Sequence, residues 1–512
     1  MPLHFQTPQQ DGEYLVYPDR NRWTVLATSN DQCCNAISKW PEKQTFEQFR
    51  QTARQELLHF LQAAPIHANV PWVVTGHQPE LFHPGVWLKN FLASNVVSGA
   101  FSLNLIVDHD IARPTITVPF LKEKQFRKHR IRWQMGSPAT WEHSANGNTE
   151  WLEKVMAVLA QLPDRPILLD LLENHPDLRQ IEPSEPVWKL FFRWRKHLET
   201  MWGCQNAELA TSELSTMTFF GRWVRYLVLR GHDFLKNYNE SIQAYRLEYG
   251  ISNPVHPAAL LTSDNDRYEL PLWYLEGNAR LPVTVERKSD RFTIYAGSQH
   301  WDWPLDEDDF VAQWQQLPLQ AKQFRPKALL LTLIARLTLG GLFLHGIGGG
   351  LYDQVTDRII QTEFGISPPP FAVGTGTLRL KWNGPIVTPR DLQQVRQQLR
   401  RSYWNPQQFV TLSDEINGLI SARLKAVGQS PRSMLERRLK NREIRKLNAE
   451  IRTHMQQKFG ELIEKQTNIS KSLYSRQALQ WREYPWIVYP QDTLRTFLSG
   501  NQKGSLSVAE LQ

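Results

Sequence analysis

The chain has 512 residues, with 59 Lys and Arg against 51 Asp and Glu, a formal net charge of +8, and 41% hydrophobic residues. The length exceeds what one simple core needs and points to two or three structural units, and the hydrophobic share excludes a largely disordered chain. Three Cys, two of them adjacent at Cys33 and Cys34, form neither a CxxC pair nor an even framework, which excludes disulfide staples and a zinc ribbon.

The opening MPLHFQTPQQDGEYL carries neither the basic nor the apolar region of a signal peptide, and a reducing cytoplasm is the expected location. Thr45 to Ala63 predicts a helix, with Phe46, Phe49, Leu57, Leu58 and Leu61 as its apolar positions. Val73-Val74 and Leu103 to Val107 read as strands, and the helical pattern Val86 to Val97 lies between them. Strand, turn, helix, strand is the βαβ unit of a parallel, doubly wound α/β sheet.

Leu270 to Gly297 shortens to a β-meander, with turn signals at Glu276-Gly277-Asn278 and Lys288-Ser289-Asp290. Ala328 to Leu344 (ALLLTLIARLTLGGLFL) has one charge, Arg336. It is at the short limit for a membrane span and carries that charge near its middle, so a buried strand and helix are expected instead.

From Thr388 helical periodicity takes over, with Leu392, Val395 and Leu399, a break at Asn405-Pro406, and a helix from Phe409 to Leu424. Ile444, Leu447, Ile451, Met455, Phe459 and Leu462 draw one apolar stripe, which predicts a helical hairpin or short coiled coil. Tyr484 to Tyr489 is a last apolar strand or loop. The domain reading is a core over 1–385 with the meander near 268–297 inserted, a helical coiled-coil hairpin over 386–480, and a segment over 481–512 that packs back on the core.

The stretch VVTGHQPELFHPGVWLKNFLAS, Val73 to Ser94, concentrates polar residues in the turn after a strand. A helix N-terminus there presents free N–H groups and a positive dipole end. Gly76 lets backbone approach a ligand, while His77, Gln78 and His83 add side-chain donors and exchangeable protons. The second strand ends in Asp108-His109-Asp110, so both strand ends are expected to face one crevice. Each residue alone also suits an ordinary turn or a helix cap; the coincidence of two such strand ends carries the site. His77, His83, Asp108, His109 and Asp110 have metal-ligand chemistry, but their spacing matches no zinc pattern, and no metal is expected. Gly346 to Gly350 (GIGGG) lacks the spacing and the lysine of a phosphate loop.

These residues resemble a family. TGHQPELFHPGVWLK, with its aromatic-lysine helix start at Trp87 and Lys89, is similar to the first motif of the bacillithiol-synthesis cysteine-adding enzymes, and LIVDHDI (Leu105 to Ile111) to that family's second strand end. Leu330 to Tyr352 and FGISPPP (Phe364 to Pro370) are similar to its leucine-rich segment, glycine-rich turn and tail. The likeness covers roughly residues 70–115 and 325–375, with a C-terminal coiled coil after it in both. His77 stands where the family has glutamine, Pro84-Gly85 reverses its glycine-proline, and Gly348-Gly349-Gly350 replaces its proline-glycine-glutamate, which marks a divergent member.

The resemblance implies a Rossmann-like core with insertions and a ligase joining cysteine to an amino-sugar conjugate. It also implies a bound nucleotide (ADP or ATP) and a homodimer formed through the coiled coil. Carried over by position, Thr75, Gly76, Gln78, Gly346 and Gly349 would bind substrate and Asp108, His109 and Asp110 would carry catalysis, with His109 moving the proton; the chemistry of the residues themselves adds His83 and Lys89 to binding and His77 to catalysis. His83-Pro84-Gly85 also reproduces part of the nucleotide motif of class I aminoacyl-tRNA synthetases. The other reading is a catalytically inactive scaffold, or a nucleotide- or nucleic-acid-binding protein, on the same fold. Lys122 to Arg132 (KEKQFRKHRIR) and Pro431 to Arg452 are basic enough to attract phosphates. Lacking interleaved aromatics at stacking spacing, they read as solvated faces, and neither nucleic acid nor membrane is an expected partner.

Overall fold

The computed structural model describes residues 4–499, 505 and 506, apart from 96, 98, 114, 134–137, 146–149, 265, 318–322, 411 and 412. The chain forms two compact units, one from Met1–Val118, Arg130–Arg379 and Arg482–Gln512, the other from Pro119–His129 and Leu380–Trp481. The fold is mixed α/β with a sheet of mostly parallel strands.

In chain order, β1 (Tyr14–Tyr17), β2 (Trp72–His77) and β3 (Phe101–Ile106) precede a hairpin of β4 (Thr115–Lys122) and β5 (Gln125–Arg132), and the short β6 (Ala207–Ala210). There follow β7 (Ser263–Asp264), β8 (Arg267–Glu276), β9 (Ala279–Arg287), β10 (Arg291–Ala296), β11 (Gln299–Pro304) and β12 (Phe324–Pro326). The last three are β13 (Leu342–His345), β14 (Ala372–Gly376) and β15 (Ser505–Leu506).

The large sheet has the order β15-β1-β14-β13-β2-β3-β6, and β14, β13, β2, β3 and β6 are parallel. Its central strands, such as Trp72 to Thr75 and Leu342 to His345, are buried without alternation, as strands covered on both faces must be. From β2 the chain crosses through the helix Pro84–Asn95 to β3 on one side. From β13 it crosses through the helix Ile347–Phe364 to β14 on the other. Strand order therefore reverses between β2 and β13. Neighbours Val373 and Gly374 on β14 face opposite ways: Val373 abuts Gly350 of the second helix, and a Cβ on Gly374 would meet Leu92 of the first. The two helices thus cover opposite faces of the sheet.

Local chemistry sets where these helices start. Thr45 Oγ1 accepts from Gln48 N at 3.2 Å while Gln48 Oε1 accepts from Thr45 N at 2.9 Å, so a capping box opens the helix Phe46–Phe60. Pro84 occupies the first position of the helix after β2, where its missing N–H costs nothing. Gly85 follows because that helix lies against β14: a Cβ there would stand 2.0 Å from the Gly376 carbonyl oxygen.

The antiparallel strands expected between Leu270 and Gly297 run from Arg267 to Pro304 and form a second sheet, β11-β10-β9-β8-β12. The β8–β9 register shifts between Leu270 and Trp273, beside Pro271, which has no N–H for the ladder. The apolar run 328–344 becomes the helix Ala328–Ile334, a wide π turn and β13. Its single charge, Arg336, is buried against Asp353 at 2.9 Å and Asp357 at 2.7 Å. Among the described residues no helix is long and apolar enough to cross a membrane.

The second unit holds the tip of the β4–β5 hairpin and the helices Pro389–Trp404, Asp414–Gly428, Met434–Thr453 and Gln456–Leu479. The stripe expected on one continuous helix is interrupted: the backbone leaves the helix at His454 and Met455, and Ile451 and Met455 are buried there. Asp414, rather than Phe409, begins the preceding helix, with Ser413 as its cap; 411 and 412 lie outside the described residues. Buried Arg423 ties the helices together, donating to Asn448 Oδ1 at 2.6 Å, the Trp404 carbonyl at 2.8 Å and Asn405 Oδ1 at 2.9 Å. Tyr484 to Tyr489, expected as a strand or loop, contains a short 3₁₀ turn at Trp486–Val488, buried in the first unit.

Candidate functional site

In an open parallel sheet, the crevice beyond the C-terminal strand ends at a reversal of strand order is where ligands bind. The first unit has a cavity of about 740 Å³ at that position, between the ends of β2, β3 and β13. Gly76, His77, Gln78, His83, Lys89, His109, Asp110, Gly346 and Gly349 all line it. Two of the sequence-derived candidates do not. Thr75 is buried and donates from Oγ1 to the Leu344 carbonyl at 2.9 Å, joining β2 to β13. Asp108 lies behind the wall, accepting from Ser212 N at 2.9 Å, Ser212 Oγ at 2.6 Å and Thr211 Oγ1 at 2.9 Å.

Asp108 still acts on the cavity through Thr211. Because the Thr211 hydroxyl donates to Asp108, it accepts from His109 Nδ1–H, 2.7 Å away. The neutral His109 ring then leaves Nε2 as a bare acceptor. Burial holds His109 down to about 4, against the pull of Asp110 and Asp108. Asp110 itself accepts from Gln78 Nε2 at 2.8 Å and Arg280 Nη1 at 2.7 Å, so it braces the β2 loop against β9 rather than the His109 ring.

His77 Nδ1 lies 3.0 Å from the Gln78 carbonyl and donates to it; burial first, then Lys89, lowers its pKa to about 3. His83 Nδ1 accepts from Gly85 N at 3.1 Å, which puts the proton on Nε2, 3.6 Å from Glu483; burial and nearby Arg482 lower it to about 3. Lys89 donates to the Gly76 carbonyl at 2.9 Å, and burial brings it down to about 8. Gly346 caps the helix Ile347–Phe364, so the glycines expected as a turn form that helix's first turn at the cavity.

A further histidine, absent from the sequence-derived set, completes the wall. His345, at the end of β13, lines the same cavity, and its Nε2 donates to Asp353 Oδ2 at 2.7 Å. Burial would raise Asp353, but Arg336 and His345 hold it below the ordinary carboxylate range. Gly349 is packed against this ring, since a Cβ there would come within 2.5 Å of His345 Nδ1. The signal was present in the sequence. VVTGH, LIVDH and LFLHG are three apolar strand runs that each reach a His. No local pattern foretold Trp273 and Lys327, whose ammonium lies 4.2 Å from the Trp273 ring centroid, because β8 and β12 bring them to the cavity from the other sheet.

Among the described residues, no group of three or more His, Cys, Asp or Glu is arranged to hold a metal ion, the five His and Asp with metal-ligand chemistry included. Comparison of the chain with protein-family models and with curated proteins gives no match.

Proposed function

We propose that the chain is a ligase-like enzyme, a divergent relative of the bacillithiol-synthesis cysteine-adding enzymes. In this reading it joins an amino acid such as cysteine to a hydroxyl-rich amino-sugar conjugate or a related small molecule, with ADP or ATP as nucleotide. The core is then Rossmann-like, the helices of the second unit are a coiled coil that pairs two subunits, and the enzyme works in the cytoplasm.

The observation that supports this best is the convergence of three sequence segments, 76–83, 109–110 and 346–349, on one cavity at the strand-order reversal. His77, His109 and His345 each use one ring nitrogen to donate to protein, which leaves the other as an acceptor. A cavity rimmed by bare acceptors favours a ligand rich in N–H and O–H groups, and the N-terminus of the helix Ile347–Phe364 suits a carboxylate or phosphate on it. ATP would supply the activation, as a phosphorylated carboxyl of the amino acid: the amine forms the C–N bond as the C–O bond to phosphate breaks and phosphate leaves, while His109 Nε2 takes the proton that the amine gives up and Asp108 stabilises the imidazolium through Thr211. Water exclusion by the buried walls strengthens each of these contacts.

Two measurements test the reading. A thermal-shift screen with nucleotides, amino acids and sugar acids should show ADP and cysteine raising the melting temperature, by about 2.7 kcal/mol of stability at a hundredfold excess over Kd. His109→Gln should abolish formation of the cysteine adduct, followed by mass spectrometry, while the protein still binds its ligands. No shift with any nucleotide removes the family inference; full turnover in the variant removes His109.

A further inference from the structure

We propose that the second unit is a nucleic-acid-binding surface that grips the phosphate backbone of a single strand. This goes beyond the ligase reading and does not depend on it. The fold gathers the second basic run and the first as far as His129, far apart in sequence, into one body: the hairpin tip, Pro119–His129, and the helices of Leu380–Trp481. Phe126 N donates to Ser475 Oγ at 3.1 Å, and the Lys128 ammonium lies 4.0 Å from the Trp481 ring centroid, which lays the hairpin on the helix Gln456–Leu479 and its end.

The charge divides unevenly between the units. The second unit has 23 Lys and Arg against 9 Asp and Glu, whereas the remainder of the chain has 36 against 42. The whole positive excess of the protein therefore resides in the second unit. In the first unit, buried Arg50, Arg54, Arg195 and Arg225 are each held by a carboxylate. In the second, Lys128 aside, Lys446 alone among the described Lys and Arg pairs with a carboxylate, Glu450 at 3.8 Å. Such uncompensated charge repels itself and attracts a polyanion.

Ring stacking distinguishes a nucleic acid from other polyanions. Tyr403 and Trp404 are 46% exposed and Tyr474 is 61% exposed, and Arg452 lies 4.1 Å from the Tyr403 ring centroid. The aromatics that the basic runs lack in sequence are supplied by neighbouring helices. Flat exposed rings among free cations are how single strands are held without sequence preference. A helix lying on a membrane would instead carry a continuous apolar face, while exposed Met434, Leu435 and Leu439 occupy only one end of Met434–Thr453.

The test uses the full chain and a fluorescent single-stranded oligonucleotide of mixed sequence, read by anisotropy. Binding at low salt should weaken roughly 100-fold or more between about 50 and 200 mM salt, the response when about six phosphates are neutralised. Reversing the exposed Arg437, Arg438, Arg442 and Arg445 together to Glu should weaken binding at least 10-fold and flatten the salt slope. Lys122→Glu with Lys124→Glu should act in the same direction, because the hairpin tip belongs to the same compact unit. Circular dichroism of both variants should match the parent. Absence of binding at about 50 mM salt, a flat salt response, or unchanged affinity in folded variants would overturn the proposal. Binding to phosphatidylserine vesicles with none to the oligonucleotide would overturn it equally.

Discussion

His109 lies between two aspartates, yet its burial wins, and the ring is neutral at pH 7 with a pKa near 4 against the ordinary 6.5. The sign of its contribution follows. Between pH 6.5 and 4 the unfolded chain binds a proton that the native ring refuses, so stability falls as pH drops through that window and is flat above it. His77 and His83, lowered by burial in the same direction, add to the effect. His109→Gln should remove its share, roughly 3 kcal/mol at pH 4, and urea melts at pH 7 and pH 4.5 should differ less in the variant than in the parent. An unchanged difference would mean that His109 titrates normally. Gly85 is a second critical residue. Gly85→Ala places a methyl group 2.0 Å from the Gly376 carbonyl oxygen, so the helix must shift, and a stability loss of about 1–3 kcal/mol should appear in a thermal melt. The polar residues after β2 and β3 were visible in sequence because each follows an apolar run. His345 could have been found by the same rule, whereas Asp353 could not, since it reaches that ring from two helical turns further along.

At the scale of elements, the apolar spacing from Ile444 to Leu462 correctly marks helix but misplaces the surface left open. The chain bends at His454 and Met455, and Ile451 is fully buried within its own unit. Placing Asp there would unfold the unit and leave the question of a dimer untouched. Exposed instead, beside Met434, are Leu435 at 67% and Leu439 at 56%, one turn apart, with Leu424 and Val427 on the helix packed alongside. Aliphatic groups so placed have the chemistry to pack against another helix. If the chain dimerises through these helices, Leu435→Asp with Leu439→Asp should give a folded monomer by light scattering while the parent is a dimer. A monomeric parent at micromolar concentration would end that proposal. Periodicity reports which residues share a face, but not which faces the chain's own folding has already covered.

For the whole molecule, two compact units predict two unfolding transitions in calorimetry, and Arg423 provides the means to separate them. It donates to Asn448, Trp404 and Asn405 inside the second unit only, so Arg423→Ala should leave the buried Asn448 Oδ1 unpaired at about 1–3 kcal/mol and move one transition down by about 10 °C. A single transition that moves as one would show that the units unfold together. The sequence by itself determined the parallel α/β core, the antiparallel insertion, the helical C-terminal region and the polar residues that follow β2 and β3 at the cavity. Each of these is written in local periodicity and in what ends an apolar run, and the site residues follow because parallel strands bring their C-terminal ends to one edge. Only the tertiary structure decided that strand order reverses between β2 and β13, that Thr75 and Asp108 stand behind the cavity, and that Trp273 and Lys327 enter it. It alone decided, too, that basic runs far apart in the chain share one body. Those facts depend on which surfaces meet across the chain, a matter of packing between distant segments that no local spacing encodes.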